Sequence, residues 1–303
     1  MTWPTDHPAF VDPDLRPWAA GIHDVVPAAQ VDTVLRYLPG RRVATLVEHE
    51  GQLAVVKVFA SPRARGNVRR LRALAETGAA ALVPTVIGSD ATGHVLAVTF
   101  TPGILPASLS EAQYPACLAR VGTALRRLHD SRTKLDRVWD WEKEVTQLRR
   151  RATAATMEVV ETIVTSTSRL AGAALVPSHR DLHPLQVVVA ADRSVSFIDL
   201  DDAAMGPRGL DIGNMLGHLV KERICGARSA PAAMLAGEAF LEGYGPCVDL
   251  DDSVLTGWTL LAVARLAGLA ESRHRDIAQR DALLAHCHDD LERVGGVVAN
   301  VAG

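Results

Sequence analysis

Residues 179–199 constrain this chain more than any other stretch. His179-Arg180-Asp181-Leu182-His183-Pro184-Leu185-Gln186 runs into Val187-Val188-Val189, and Ser196-Phe197-Ile198-Asp199 follows. A carboxylate and an amide five residues apart end a loop that enters a strand. A second carboxylate closes the next strand of what reads as a hairpin.

That arrangement suits phosphoryl transfer. One Asp orients an acceptor hydroxyl and takes its proton, while the amide and the other Asp hold Mg²⁺ against nucleotide phosphates. Residues 179–214 resemble the catalytic segment of the aminoglycoside phosphotransferase and choline kinase-like branch of the protein-kinase fold. His179-Arg180-Asp181-Leu182-His183-Pro184 matches that family's His-x-Asp-x-His-Pro loop, and Ile198-Asp199 matches its metal-binding element, the counterpart of the kinase Asp-Phe-Gly. Asp211-Ile212-Gly213-Asn214 matches the segment whose Asp braces the catalytic loop.

The resemblance implies an α+β, bilobal protein-kinase-like fold. Residues 1–100 form a small mixed-sheet, nucleotide-binding lobe with an irregular N-terminal arm, and residues 101–303 form a mainly helical lobe for catalysis and acceptor binding. It also implies an ATP-dependent (or GTP-dependent) phosphotransferase that uses Mg²⁺. The acceptor is a hydroxyl of a small molecule, an antibiotic, a sugar or a related natural product. Asp181 is the catalytic base, and His179, His183 and Asp211 support the loop. Asp199 and Gln186 are the metal ligands. On an extended strand Asp199 and Asp201 share a face and Asp202 points away, so Asp201 reads as a further metal ligand or an acceptor contact, with simple solvation as the alternative. Backbone groups near Val98, Phe100 and Thr101 meet the nucleotide base. Lys57, in Leu53-Ala54-Val55-Val56-Lys57-Val58-Phe59, resembles the Val-Ala-Ile-Lys strand whose Lys holds the α- and β-phosphates. A Lys among apolar strand residues is costly to bury without an anionic partner.

The chain departs from the family at two places. Gln186 stands where Asn is usual, with the same amide oxygen on a longer stem. Asn67 stands where the helix Glu that pairs with the Lys is expected; Glu76, the only acid in residues 61–80, lies in the last helical turn. Pro39-Gly40-Arg41-Arg42 is placed to approach the nucleotide but lacks the Gly-x-Gly-x-x-Gly of protein kinases, as the antibiotic-kinase branch often does. Gln186 and the missing helix Glu motivate the rival reading, a nucleotide-binding pseudokinase without turnover. A third reading takes His179-x-Asp181-x-His183 as the metal site of a hydrolase, but it gives Ile198-Asp199 and Asp211 no role.

Composition narrows the partners. With 32 basic and 35 acidic side chains and 4% aromatics, neither nucleic acid nor a base-stacking platform is indicated. Four scattered cysteines fit reduced thiols in the cytoplasm. The N-terminus does not read as a signal peptide, and Val254–Ala270, interrupted by Arg265, reads as a buried helix rather than a membrane span. Pro27–Leu38 reads as a helix, 62–77 as a helix whose arginines form a solvated face, and 42–48 with 53–59 as a hairpin. Ser110–Asp130 is helical with a weak capping box, Ser110 with Gln113. One or two helices span 138–171, and further helices lie near 211–225, 231–243, 252–271 and 276–293. Residues 101–303 carry 22 bases against 26 acids, which suits an acceptor of modest positive charge.

Overall fold

Strand alternation builds the first of two units into which the chain divides. That unit takes residues 1–103 and 196–201, and the second takes 104–195 and 202–303. The structure, a computed structural model, describes residues 7–27 and 30–301. In the first unit, β1 (Gln30–Leu38), β2 (Arg42–His49), β3 (Gln52–Phe59), β4 (Val86–Ser89) and β5 (Val95–Thr99) form an antiparallel sheet in the order β1-β2-β3-β5-β4. Ala54, Val56 and Val58 of β3 are buried in one core with Val43, Val47, Val95 and Ala97. The two-residue period therefore turns Lys57 to the other face, in register between Ala44 and Leu96.

Two expectations are corrected here. The stretch expected as a helix over 27–38 is β1, with register shifts after Val31 and Val34. The expected irregular arm contains two single-turn helices, α1 (Arg16–Ala19) and α2 (Ile22–Val25). Ile22 of α2, with Leu15 and Val26 beside the helices, is buried in the sheet's core. Apolar burial, not local propensity, orders this arm. The readings made on Trp3, Pro4 and Asp6, and the part of the expected helix at residues 28–29, lie outside the described residues. Helix α3 (Ala64–Ala75) follows β3 as expected.

The second unit is mainly helical. It holds α4 (Tyr114–His129), α5 (Trp141–Arg151), α6 (Met157–Ser166), α7 (Arg208–Ile224), α8 (Ala230–Tyr244), α9 (Asp252–Leu269) and α10 (Ile277–Val301). Strands β6 (Leu175–Ser178) and β9 (Ala204–Pro207) pair antiparallel, and β7 (Val187–Val189) follows the 179–186 loop. A tight turn, in which Ala190 N donates to Ser194 O at 3.0 Å, leads from β7 towards β8 (Val195–Phe197). Asp140, Ser229 and Asp251 cap α5, α8 and α9 by accepting from backbone N–H groups inside each first turn. Ser110 and Gln113 bond to one another, but the helix begins only at Tyr114, so they form a turn ahead of it.

Asp252–Ser272 is long and apolar enough to cross a membrane by length and composition. It packs instead against α5, α6, α7 and α10, with Trp258, Leu261, Val263 and Ala267 buried in the unit's core. The approach of α7 to α9 depends on small residues. A Cβ at Gly213 would lie 2.5 Å from the backbone carbonyl carbon of Trp258, so no side chain fits. Gly213→Ala should force the helices apart and cost about 1–3 kcal/mol in urea denaturation. Gly237→Ala on α8, whose new Cβ would find its nearest neighbour at 3.6 Å, should cost nothing. Equal losses in the two variants would contradict this packing account.

Candidate active site

In the first unit four charged groups converge. Lys57 Nζ donates to Asp199 Oδ1 at 2.8 Å and to Asp201 Oδ1 at 2.7 Å. Arg42, the first residue of β2, grips Asp199 with both terminal nitrogens, Nη1 to Oδ1 at 3.0 Å and Nη2 to Oδ2 at 2.9 Å. Its Nη1 also donates to Asp201 Oδ2. Burial works against the charge on Lys57, but Asp201 and Asp199 outweigh it and raise its pKa. Burial likewise opposes the charge on Asp199, yet Lys57 and Arg42 hold its carboxyl well below the usual range. For Asp201 burial prevails over Lys57, reinforced by the Asp199 charge, and its pKa is raised.

The backbone holds this cluster in an uncommon conformation. Asp199 has φ +58°, the left-handed region that a non-glycine side chain rarely adopts, and a 3-10 turn, Leu200–Asp202, replaces the expected extended strand. Asp201 still meets the same lysine as Asp199, by the turn rather than by strand alternation. From α3, Arg70 Nη2 donates to the carbonyl of Asp201 at 3.1 Å and also to Asn67 Oδ1. Arg70 is therefore the buried exception in a helix whose other arginines are exposed. Asn67 is buried at the place expected for a Glu, and Glu76 is exposed at the helix end. The acids that meet Lys57 come from residues 199–201 instead.

In the second unit the 179–186 loop is held from beneath. Asp211, fully buried on α7, accepts from His179 N at 2.7 Å and from Arg180 N at 2.6 Å. Its Oδ2 also meets His129 Nε2 at 3.2 Å. Asn214, one turn along, donates Nδ2 to Arg180 O at 2.8 Å. These bonds grip the peptide units on both sides of Arg180, whose φ is +75°. The His179 ring is fully buried, with Nδ1 3.4 Å from Asp181 N. Asp181 projects from this loop, and Arg265 of α9 approaches its Oδ1 at 3.4 Å while donating to Asn214 Oδ1 at 2.7 Å. His183 accepts from Leu185 N and stacks on His218, with ring centroids 4.4 Å apart. Gln186 is buried at the end of the Pro184–Gln186 turn.

The structure thus gathers Lys57, Asp199 and Asp201 in the first unit, and Asp181, His179 and Asp211 in the second. Val98 is buried within the sheet, in register with both Val55 and Val86, and Phe100 N donates to Leu53 O at 3.1 Å. The amide of Phe100 is therefore already used, while Thr101 is half-buried beyond the strand. Asp202 pairs with Arg137 at 3.0 Å and Arg180 at 3.4 Å in the second unit. The sequence placed neither Arg265 beside Asp181 nor His218 against His183. A charge inside the apolar run 254–270 was the available signal for Arg265, because a buried guanidinium needs partners. As a donor set Asp199 fits a hard divalent cation, an ionised carboxylate that keeps 18% exposure.

The model of the phosphotransferase enzyme family matches residues 40–252. The chain belongs to this family. No curated protein matches its sequence. Among solved structures, the choline kinase LicA of Streptococcus pneumoniae superposes with a TM-score of 0.67 at 13% identity, covering 92% of this chain and 98% of that one. Spectinomycin phosphotransferase APH(9)-Ia, solved with ADP and spectinomycin, gives 0.58 at 15% identity over 86% and 92%. A type VIII aminoglycoside-3'-phosphotransferase gives 0.60 at 19% identity over 82% and 98%. At these identities the likeness shows the protein-kinase-like fold.

The histidines of this family member carry a pH signature. Burial, with His183, Arg265 and Lys221 nearby, holds His218 well below its ordinary pKa. Burial does the same to His129, although Asp211 opposes it. The unfolded chain binds protons at these positions below about pH 6.5 while the folded chain does not, so stability should fall as pH drops through that value. His218→Phe should remove up to about 1.4 kcal/mol per pH unit of this slope between roughly pH 6 and 5. Urea denaturation across that interval checks it, and an unchanged slope in the variant would contradict the neutral His218.

Proposed function

We propose that this phosphotransferase moves the γ-phosphate of ATP (or GTP) to a hydroxyl of a small natural product, sugar or antibiotic. One observation carries the reading. Asp181 keeps 47% of its side chain exposed on a loop pinned from below, whereas Asp199 and Asp201 keep 18% and 6% among Lys57 and Arg42, and Asp211 keeps 0% against two backbone amides and His129. A carboxylate held in place yet open is what an incoming hydroxyl requires. The relatives named for choline, spectinomycin and aminoglycosides support a small hydroxylated acceptor.

In this reading Asp181 accepts a hydrogen bond from the acceptor hydroxyl and then its proton. Because phosphoryl transfer passes through a loose transition state, orientation matters more than early deprotonation. Arg265 holds the carboxylate in that orientation. Lys57 meets the nucleotide phosphates, and Asp201, with one oxygen on Lys57 and the other on Arg42, does the work expected of a helix Glu rather than of a third metal ligand. Asp199 would supply oxygen for Mg²⁺, which when bound would neutralise charge on the phosphates. The carbonyls beyond β5, near Thr101, remain candidates for the base.

Asp181→Asn should lower kcat by roughly 10²–10⁴-fold with MgATP affinity retained, whereas Asp199→Ala should weaken MgATP binding itself. A panel of hydroxylated acceptors read by mass spectrometry, with calorimetry for the nucleotide, separates the two effects. Near-normal turnover in Asp181→Asn would remove the assigned base. MgATP binding with no phosphorylated product across the panel would favour the pseudokinase.

A further inference from the structure

The turn between β1 and β2 stands where a glycine-rich loop would offer backbone N–H groups to phosphates, and its own N–H groups are already engaged. Gly40 N donates to Asp12 Oδ2 at 2.8 Å, and Arg41 N to Leu38 O at 3.0 Å. Asp12 also accepts from Tyr37 OH at 2.8 Å and from Asp14 N at 2.9 Å, and the Gly40 bond leads the effects that depress its pKa. The turn is thus tied down by a carboxylate, which would itself repel a phosphate. What β2 does deliver is the guanidinium of Arg42.

We propose that Arg42 is a second phosphate-binding cation of the nucleotide site, replacing the missing loop and working beside Lys57. This rests on the phosphotransferase reading above. The geometry supplies the reason. Arg42 holds Asp199 through two parallel N–H···O bonds, the fork that matches a carboxylate and a phosphate equally well. Its side chain is 18% exposed, so its charge cannot be left without a partner cheaply. Two cations balance two carboxylates in the cluster as it stands. Were Asp199 to turn an oxygen to a divalent cation, Arg42 would keep Asp201 through Nη1 while Nη2 would give up its carboxylate oxygen, and the phosphates that arrive with the cation would offer an anion in its place. Lys57 keeps Asp201, whose side chain is only 6% exposed. Arg42 is thereby a binding residue whose contribution depends on the metal.

The test is nucleotide affinity by calorimetry, which needs no acceptor and no turnover. Wild type, Arg42→Lys and Arg42→Gln are titrated with ATP and with adenosine, each with and without Mg²⁺. Arg42→Gln should lose about tenfold or more in MgATP affinity, the loss of one charge-assisted contact, and Arg42→Lys should recover only part of it. Adenosine affinity should be unchanged in both variants, which also reports that the unit remains folded. Without Mg²⁺ the gap between wild type and Arg42→Gln should shrink to less than about threefold. MgATP affinity equal to wild type in Arg42→Gln would overturn the assignment, as would an equal loss for adenosine. A gap that persists undiminished without Mg²⁺ would overturn the metal-dependent exchange. Wild type that binds adenosine but gains nothing from the phosphates or Mg²⁺ would overturn the parent reading, a different result from any of these.

Discussion

Lys57 between two carboxylates is the interaction around which the first unit is arranged. A lysine on the inner strand of a sheet cannot stay charged without anions close by. The chain supplies them from residues 199 and 201, which it folds into the same unit as the sheet, with Asp199 in a left-handed backbone conformation. Arg42 and Arg70 then become necessary. One completes the charge balance, and the other fixes the carbonyl of Asp201. Strain at Asp199 persists because three separate elements determine where that residue must lie.

The second unit solves a related problem with the opposite result. Asp211 is wholly buried so that Asp181 need not be. By committing its oxygens to two backbone amides and His129, it fixes a loop with an unfavourable φ at Arg180 and leaves the next side chain projecting. Arg265 and Asn214, on helices brought close by Gly213, complete the support. Exposure therefore separates the carboxylates by role. The buried ones hold the backbone or a cation, and the half-exposed one is the carboxylate that the proposed function assigns to the acceptor.

Much of this was legible in the sequence because it is local. The loop 179–186, the carboxylate at 199 and the brace at 211 lie within one short stretch, and the helices from 208 onward carry their own periodicity and caps. The helix expected over 27–38 shows where periodicity misleads. Val31, Val34, Leu35 and Leu38 fall at helical spacing, but the β-branched side chains pair with β2 through a strand whose shifts in register disguise the two-residue period. The ion pairs of Arg42 and Arg265 were hidden for a different reason. Their partners stand 157 and 84 residues away, and only tertiary structure could reveal that Asp201 rather than a helix Glu meets Lys57.

The central claim is that the carboxylate left open on a braced loop serves transfer of phosphate to a hydroxyl rather than to water. Phosphorus-31 NMR of the wild-type protein with MgATP and a mixture of hydroxylated sugars, amino alcohols and antibiotics tests it most directly. The expected result is a new phosphomonoester resonance that grows in step with ADP. ADP accompanied only by inorganic phosphate, or no loss of ATP at all, would contradict the account.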